Sequence, residues 1–205
     1  MMGSVPTDAE VIEASRSDPP RFGVVFDRLF GALHRYLRRR VGKDLADELA
    51  AETFTQAFAA RYRYDGAQSN ARPWLFGIAA NLLRRHARSE RRRLLAYTRT
   101  GVDPVSASDE EAAADRLDAE AAGRTIALAL AGLSSGQREV LLLLAWAELS
   151  YEEIGLALGL PVGTVRSRLS RARSRMRELL AEFGQRQVED DPVPQSEEET
   201  QLERD

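Results

Sequence analysis

The sequence predicts an all-α protein made of two small helical domains, and three observations carry that prediction. Apolar residues recur at the helical period along most of the chain and nowhere alternate convincingly as strand. Helix punctuation is dense, with capping boxes, a basic last turn followed by glycine, and a proline placed for a first turn. Between two helical stretches lies one long interval poor in large apolar groups. The expected organisation is an N-terminal extension over 1–20, a first domain over 21–93, a flexible acidic linker over 94–118, a second domain over 119–183 and a disordered acidic tail over 184–205.

Taken in order, Phe22, Phe26, Leu29, Leu33 and Leu37 form the apolar stripe of a helix that ends in Arg38-Arg39-Arg40 and stops at Gly42. Asp44 is expected to cap a second helix running to about Tyr62, with Ala50, Phe54, Ala57 and Phe58 on its apolar side. Tyr64-Asp65-Gly66-Ala67-Gln68-Ser69-Asn70 is a loop by composition, and Pro73 suits the first turn of the helix that follows. Leu75, Ile78, Ala79 and Leu82 give that helix its buried face, which places Trp74 near the core. From Arg93 to Asp118 the chain has too little apolar surface to offset the entropy of ordering. Helical pattern resumes at Ile126, Leu130 and Leu133. Ser134 with Gln137 opens a helix through Trp146, and Ser150 with Glu153 opens another.

The second of these boxes begins the most informative stretch, Leu149 to Leu169, which reads helix, tight turn, helix. Ile154, Ala157 and Leu158 line the inner side of the first helix, Gly159 stops it and Pro161 starts the second. Val165, Leu169, Ala172 and Met176 make the second helix's buried seam, leaving Thr164, Ser167, Ser170, Arg171 and, at the edge, Arg166 facing outward. That is a helix-turn-helix layout, whose second helix can reach base edges and phosphates in a major groove. A merely solvated arginine face is the alternative. Against it, the helix carries no acid until Glu178, so its arginines repel one another unless an anion accepts them.

The totals bound the chemistry. A hydrophobic share of 43% with 30% charged residues describes a globular protein with real cores. The absence of cysteine excludes disulfides and thiolate zinc sites. No segment approaches the roughly 20 apolar residues needed to cross a bilayer, and acids stand where a signal peptide would be basic, so a cytoplasmic protein is expected. His34 and His86, the only histidines, have no ligand or nucleophile motif nearby; no catalytic residue, metal or cofactor is expected. The net charge of −3 hides strong segregation: Arg84, Arg85, Arg88, Arg91, Arg92 and Arg93 form a basic block broken only by Glu90, and Arg166 to Arg177 form another, while acids gather over 103–120 and 189–205. A polyanion would sense the basic blocks, because charges beyond about 8 Å are screened at physiological salt.

Leu149 to Arg173, ending Gly163-Thr164-Val165-Arg166-Ser167-Arg168-Leu169-Ser170-Arg171-Ala172-Arg173, resembles region 4 of the extracytoplasmic-function (ECF) group of bacterial RNA polymerase sigma factors. Asp47-Glu48-Leu49-Ala50-Ala51-Glu52-Thr53-Phe54 and Arg72-Pro73-Trp74-Leu75-Phe76-Gly77-Ile78-Ala79-Ala80-Asn81-Leu82-Leu83-Arg84-Arg85 resemble region 2, in the order and approximate spacing of that family. The resemblance spans about Phe22 to Leu180 and implies a specificity subunit rather than an enzyme. By it, Asp47, Glu48, Glu52 and Gln56 meet the clamp helices of the polymerase beta-prime subunit, and the beta subunit is a further contact of the core enzyme. Tyr64, Gln68 and Asn70 lie in the loop that captures a flipped base of the minus-10 element, with Asn81, Arg84, Arg85 and Arg88 on the reading helix beside it. Thr164, Arg166, Ser167, Ser170, Arg171 and Arg173 read the minus-35 element. Residue types agree, since a melted strand is bound by stacking surfaces, amides and cations. Ala80 departs from the pattern, many members being basic near this position. Promoter DNA and core polymerase are the implied partners, an anti-sigma factor the implied regulator, and no direct membrane insertion is implied. The rival is a helix-turn-helix regulator that acts on duplex DNA without polymerase; it needs a ligand, receiver or dimerisation domain in the N-terminal half, where Phe22 to Arg93 shows none.

Overall fold

The computed structural model describes residues 5–100 and 113–189, which form nine α-helices, two short 3-10 turns and no strand. The helices are α1 (Asp8–Ala14), α2 (Gly23–Val41), α3 (Lys43–Ala60), α4 (Arg72–Arg85), α5 (Ala87–Thr100), α6 (Ala113–Gly132), α7 (Ser135–Ala145), α8 (Tyr151–Leu158) and α9 (Val162–Glu189). The all-α class is as the periodicity predicts, and several boundaries shift. The interval expected as extension holds α1, opened by a Thr7–Glu10 capping box, and its Val11 and Ile12 are buried in the first module's core. Helices α5 and α6 reach into both ends of the interval expected as linker, whose remainder, 101–112, lies outside the described residues. Helix α9 likewise runs to Glu189; the rest of the expected tail lies outside them too.

In the first module α2 buries Val25, Leu29, Leu33, Tyr36, Leu37 and Arg40. Phe26, assigned by spacing to that seam, is instead 40% exposed, its ring stacked on Phe30 and tilted against Phe54. Gly42 turns the chain into α3 with φ of 94°, a left-handed geometry that costs glycine nothing. It also occupies the cap position expected of Asp44, which falls inside the first turn, where its charge favours the helix dipole. Helix α3 buries Ala50, Phe54 and Ala57, whereas Phe58 stays 36% exposed.

Helix α4 is buried on more than the one face expected. Leu75, Ala79 and Leu82 are enclosed as predicted, and so are Phe76, Gly77, Ala80 and Leu83, because α3 covers one side and α8 of the second module another. A helix apolar all round is an interior helix, and the run Trp74-Leu75-Phe76-Gly77-Ile78-Ala79-Ala80 has that composition. Close approach to α8 requires Gly77: a Cβ there would stand 2.5 Å from the Ala157 carbonyl oxygen.

The second module follows its punctuation closely. Both predicted capping boxes form, Ser134 with Gln137 and Ser150 with Glu153. Gly159 ends α8 at φ of 63° and sends the chain into α9, which buries Val165, Leu169, Ala172 and Leu179 with Met176 packed beside them. Full burial of a side chain of this size contributes roughly 1.5–3 kcal/mol.

The two modules meet in a seam that contains charge. Arg40 of α2 is buried between Glu90 of α5, which accepts from its Nε, and Glu139 of α7, 3.1 Å from Nη1 and Nη2. Tyr36 donates its hydroxyl to Glu139 and accepts from Arg40. Arg138 donates to the Leu130 carbonyl at 3.0 Å and lies 3.5 Å from Glu90, an ion pair without hydrogen-bond geometry at its Nε. Burial opposes the charge of Arg40, but its partners outweigh burial and raise the guanidinium above its ordinary value. For Arg138 burial prevails and lowers it, although Glu90 pulls the other way. Burial chiefly, helped by Glu139, raises the Tyr36 hydroxyl well above its usual range, so it remains a donor.

Candidate nucleic-acid interface

With Val165, Leu169 and Ala172 locked inward, α9 presents Arg166, Ser167, Ser170 and Arg171 to solvent and Thr164 half-exposed, the face that periodicity assigns, and Arg173 is exposed beside them. Ser167 donates to the Thr164 carbonyl at 3.0 Å, and Arg171 reaches back to Ser167 from both Nε and Nη2 at 3.3 Å. Arg173 donates to the Tyr151 hydroxyl of α8 at 3.4 Å. Beside this face an open groove of about 370 Å³ is lined by Ser134, Gly136, Gln137, Thr164, Arg168 and Arg171. It joins the N-terminal turn of α7 to two guanidinium groups, a combination suited to an anion such as a backbone phosphate. Ser134, Gln137 and Arg168 were not singled out from sequence for contact; the capping box was the available signal for the first two.

In the first module the structure gathers Asn81, Arg84 and Arg85 on the exposed side of α4, with Arg88 exposed at the start of α5. Asn81 accepts from Arg84, which holds the amide against the guanidinium. The adjoining loop bears Gln68, half-buried, and Asn70, exposed, whose amide donates 3.1 Å to Glu153, the partner of the Ser150 cap of α8. Tyr64 differs from expectation. It is 6% exposed, its ring tilted against Trp74 at 4.8 Å and its hydroxyl donating to the Gln68 carbonyl, so it braces the loop from within instead of offering an open stacking face. Burial, with Asp8 and Asp65 nearby, pushes this phenol up to about 12. Tyr62 is 58% exposed, with the Arg61 guanidinium over its ring at 4.3 Å.

A separate face belongs to α3. Asp47 and Glu48 are exposed, and Gln56 donates 2.9 Å to Glu52 one turn away. His34 sits 2.6 Å from Asp47 and stacks on Phe30, joining the acidic face to the half-exposed Phe26 and Phe30. Glu52 is 3.8 Å from Arg85, so this acidic face borders the basic face of α4. The aromatic neighbours of Asp47 were missed from sequence because Phe26 was counted as core. Among the described residues no cluster of three or more His, Cys, Asp or Glu could hold a metal, and no helix is long and apolar enough to cross a membrane.

Fold and faces together define a two-module helical protein with a helix-turn-helix at one end and a bundle with adjoining acidic and basic faces at the other. Comparison with known proteins makes this specific. The family description "Sigma-70 region 2" matches 25–93, and "Sigma-70, region 4" matches 124–176. The ECF RNA polymerase sigma factor SigC of Mycobacterium tuberculosis is 38% identical over 128 residues, covering 62% of this chain and 66% of SigC. SigL of the same species, also an ECF sigma factor, is 30% identical over 177 residues, covering 86% of this chain and 98% of SigL. Among solved structures, CnrH in complex with the cytosolic domain of CnrY aligns with a TM-score of 0.58 at 27% identity, over 85% of this chain and 97% of that one. The sigma factor RpoE bound to the anti-sigma factor NepR from Bartonella quintana aligns with 0.54 at 29%, over 79% and 98%. The chain belongs to the sigma-70 family, in its ECF group of RNA polymerase sigma factors.

Proposed function

We propose that this chain binds core RNA polymerase and directs it to promoters by reading two DNA elements, one with each module. The observation that carries the reading is the conjunction of both family regions in one chain with outward arginine faces on each module. The division follows the expected domains: 21–93, extended upstream by α1, as region 2, and 119–183 as region 4, joined through 94–118.

In this reading the face of α9 bearing Thr164, Arg166, Ser167, Ser170, Arg171 and Arg173 enters the major groove at the minus-35 element. Asn81, Arg84, Arg85 and Arg88 follow the backbone of the melted minus-10 strand, and Gln68 and Asn70 meet an unstacked base, with Tyr64 supporting the loop from beneath. Opening promoter base pairs costs a few kcal/mol, which capture of extruded bases and phosphate contacts offsets. Asp47, Glu48, Glu52 and Gln56 dock on the beta-prime clamp helices, with Phe26 and Phe30 as apolar neighbours, and the beta subunit contacts the remainder. No bond chemistry and no cofactor is assigned to the chain. An anti-sigma factor is the proposed regulator, as in the neighbour solved with NepR, and the cytoplasm is the proposed compartment.

Equilibrium binding to purified bacterial core polymerase tests the docking assignment. Substituting Asp47→Ala and Glu48→Ala together is expected to weaken it about tenfold while helicity is unchanged, since the pair removes two exposed carboxylates from that face and the chain itself loses only the exposed contact of Asp47 with His34. Unaltered affinity would exclude this face as the docking site.

A further inference from the structure

The loop between the 3-10 turn Arg61–Arg63 and α4 is tied down by the chain's own N-terminal helix. Asp8, the first residue of α1, makes three separate contacts. Its backbone N–H donates to the Ser69 carbonyl at 3.1 Å. Its Oδ2 accepts the Ala71 N–H at 3.0 Å, and its Oδ1 pairs with Arg28 of α2 at 2.9 Å. Farther along, Arg16 donates to the Tyr64 carbonyl at 3.4 Å, and the Tyr62 hydroxyl donates to the Arg16 carbonyl at 3.3 Å. Both ends of the loop are therefore bonded to the α1 segment, while Asp65, Gly66 and Ala67 at its tip are exposed. The Asp8 side chain is 12% exposed and compensated by Arg28, a dry setting in which hydrogen bonds hold their geometry. The buried Tyr64 closes the loop from the inside.

We infer that Asp8 is a positioning residue for base selection, fixing the loop Tyr64–Asn70 through Ser69 and Ala71 so that it presents one arrangement of donors and acceptors to an unstacked base. The inference rests on the minus-10 role proposed above for this loop. Discrimination between bases depends on groups held to a fraction of an ångström, because a loop free to shift can satisfy several bases equally well. Anchoring at both ends also removes ordering entropy that binding would otherwise have to overcome. Releasing the anchor therefore lowers selectivity more than it lowers binding. Asp8 itself touches no base.

The test is transcription by the full chain with bacterial core polymerase from a template pool randomised over the minus-10 element, followed by sequencing of the transcribed templates. The readout is the ratio of favoured to disfavoured base at each position, taken within one sample, so that a smaller folded fraction cancels. Asp8→Ala is expected to flatten that ratio at the captured position by roughly fivefold, the worth of one hydrogen bond. Asp8→Asn, whose amide oxygen still accepts from Ala71, restores most of it. Thr7→Ala removes the hydroxyl half of the capping box of α1 but leaves Asp8 in place, and keeps the ratio of the unaltered chain. An unchanged ratio in Asp8→Ala, or equal flattening in Thr7→Ala, overturns the inference. Failure of the unaltered chain to yield any template-dependent transcript overturns the promoter-reading assignment itself, and that sample alone decides it.

Discussion

Arginine occupies two contrasting settings in this protein. In the seam between the modules, Arg40 and Arg138 are buried with Glu90 and Glu139 around them, two cations against two carboxylates. On α9 and α4, Arg166, Arg171, Arg173 and Arg84 are exposed and face solvent. The side chain is the same; what differs is whether the fold already supplies its counter-charge. A guanidinium satisfied internally is structural, whereas rows of exposed ones on faces short of acids are available to an external polyanion. The contrast also explains how a protein of net charge −3 carries exposed basic faces, because its acids lie in the seam, on α3 and in separate stretches of sequence.

The sharpest break in the contrast is expected in the seam. Glu139→Ala leaves Arg40 with one carboxylate and Tyr36 without its acceptor, and urea unfolding should show a loss of roughly 3–5 kcal/mol. Next, Gly77→Leu drives a side chain into the Ala157 backbone where α4 meets α8. It should cost about 1–3 kcal/mol, and small-angle scattering should show a larger radius of gyration with helicity retained. On the exposed side, Arg171→Ala should leave stability within about 0.5 kcal/mol and instead weaken binding to upstream duplex, lowering the salt slope by about one. Smallest of all is Glu178→Ala. Its ion pair with Arg175 is 2.9 Å long but both side chains are roughly half in water, so thermal melting should register less than about 1 kcal/mol. Equal losses from Glu139→Ala and Glu178→Ala would erase the distinction between the two settings.

Sequence made one of these settings visible and hid the other. Capping boxes at Ser134 and Ser150, the stop at Gly159 and the seam of Val165, Leu169 and Ala172 are local signals, and they placed the outward face of α9 correctly. The seam joins residues about a hundred positions apart, Arg40 and Glu139 among them, which no local period encodes. Its trace was nonetheless present: Glu90 is the lone acid in a basic block, and it is the residue buried against Arg40. Tyr64 was misjudged for a related reason, since loop composition says that a segment turns but not which side chain folds beneath it. Helix α1 was passed over because seven residues are too few for periodicity to register, although Thr7 and Glu10 already spelled its capping box.

The most direct test of the account is run-off transcription with bacterial core polymerase on promoter fragments, comparing the unaltered chain with the Asp47→Ala, Glu48→Ala double variant. The account predicts discrete transcripts that require the unaltered chain and fall sharply with the variant, while binding to isolated upstream duplex is preserved. Tight binding to those fragments with no initiation by core polymerase would contradict it and leave a duplex-binding regulator in its place.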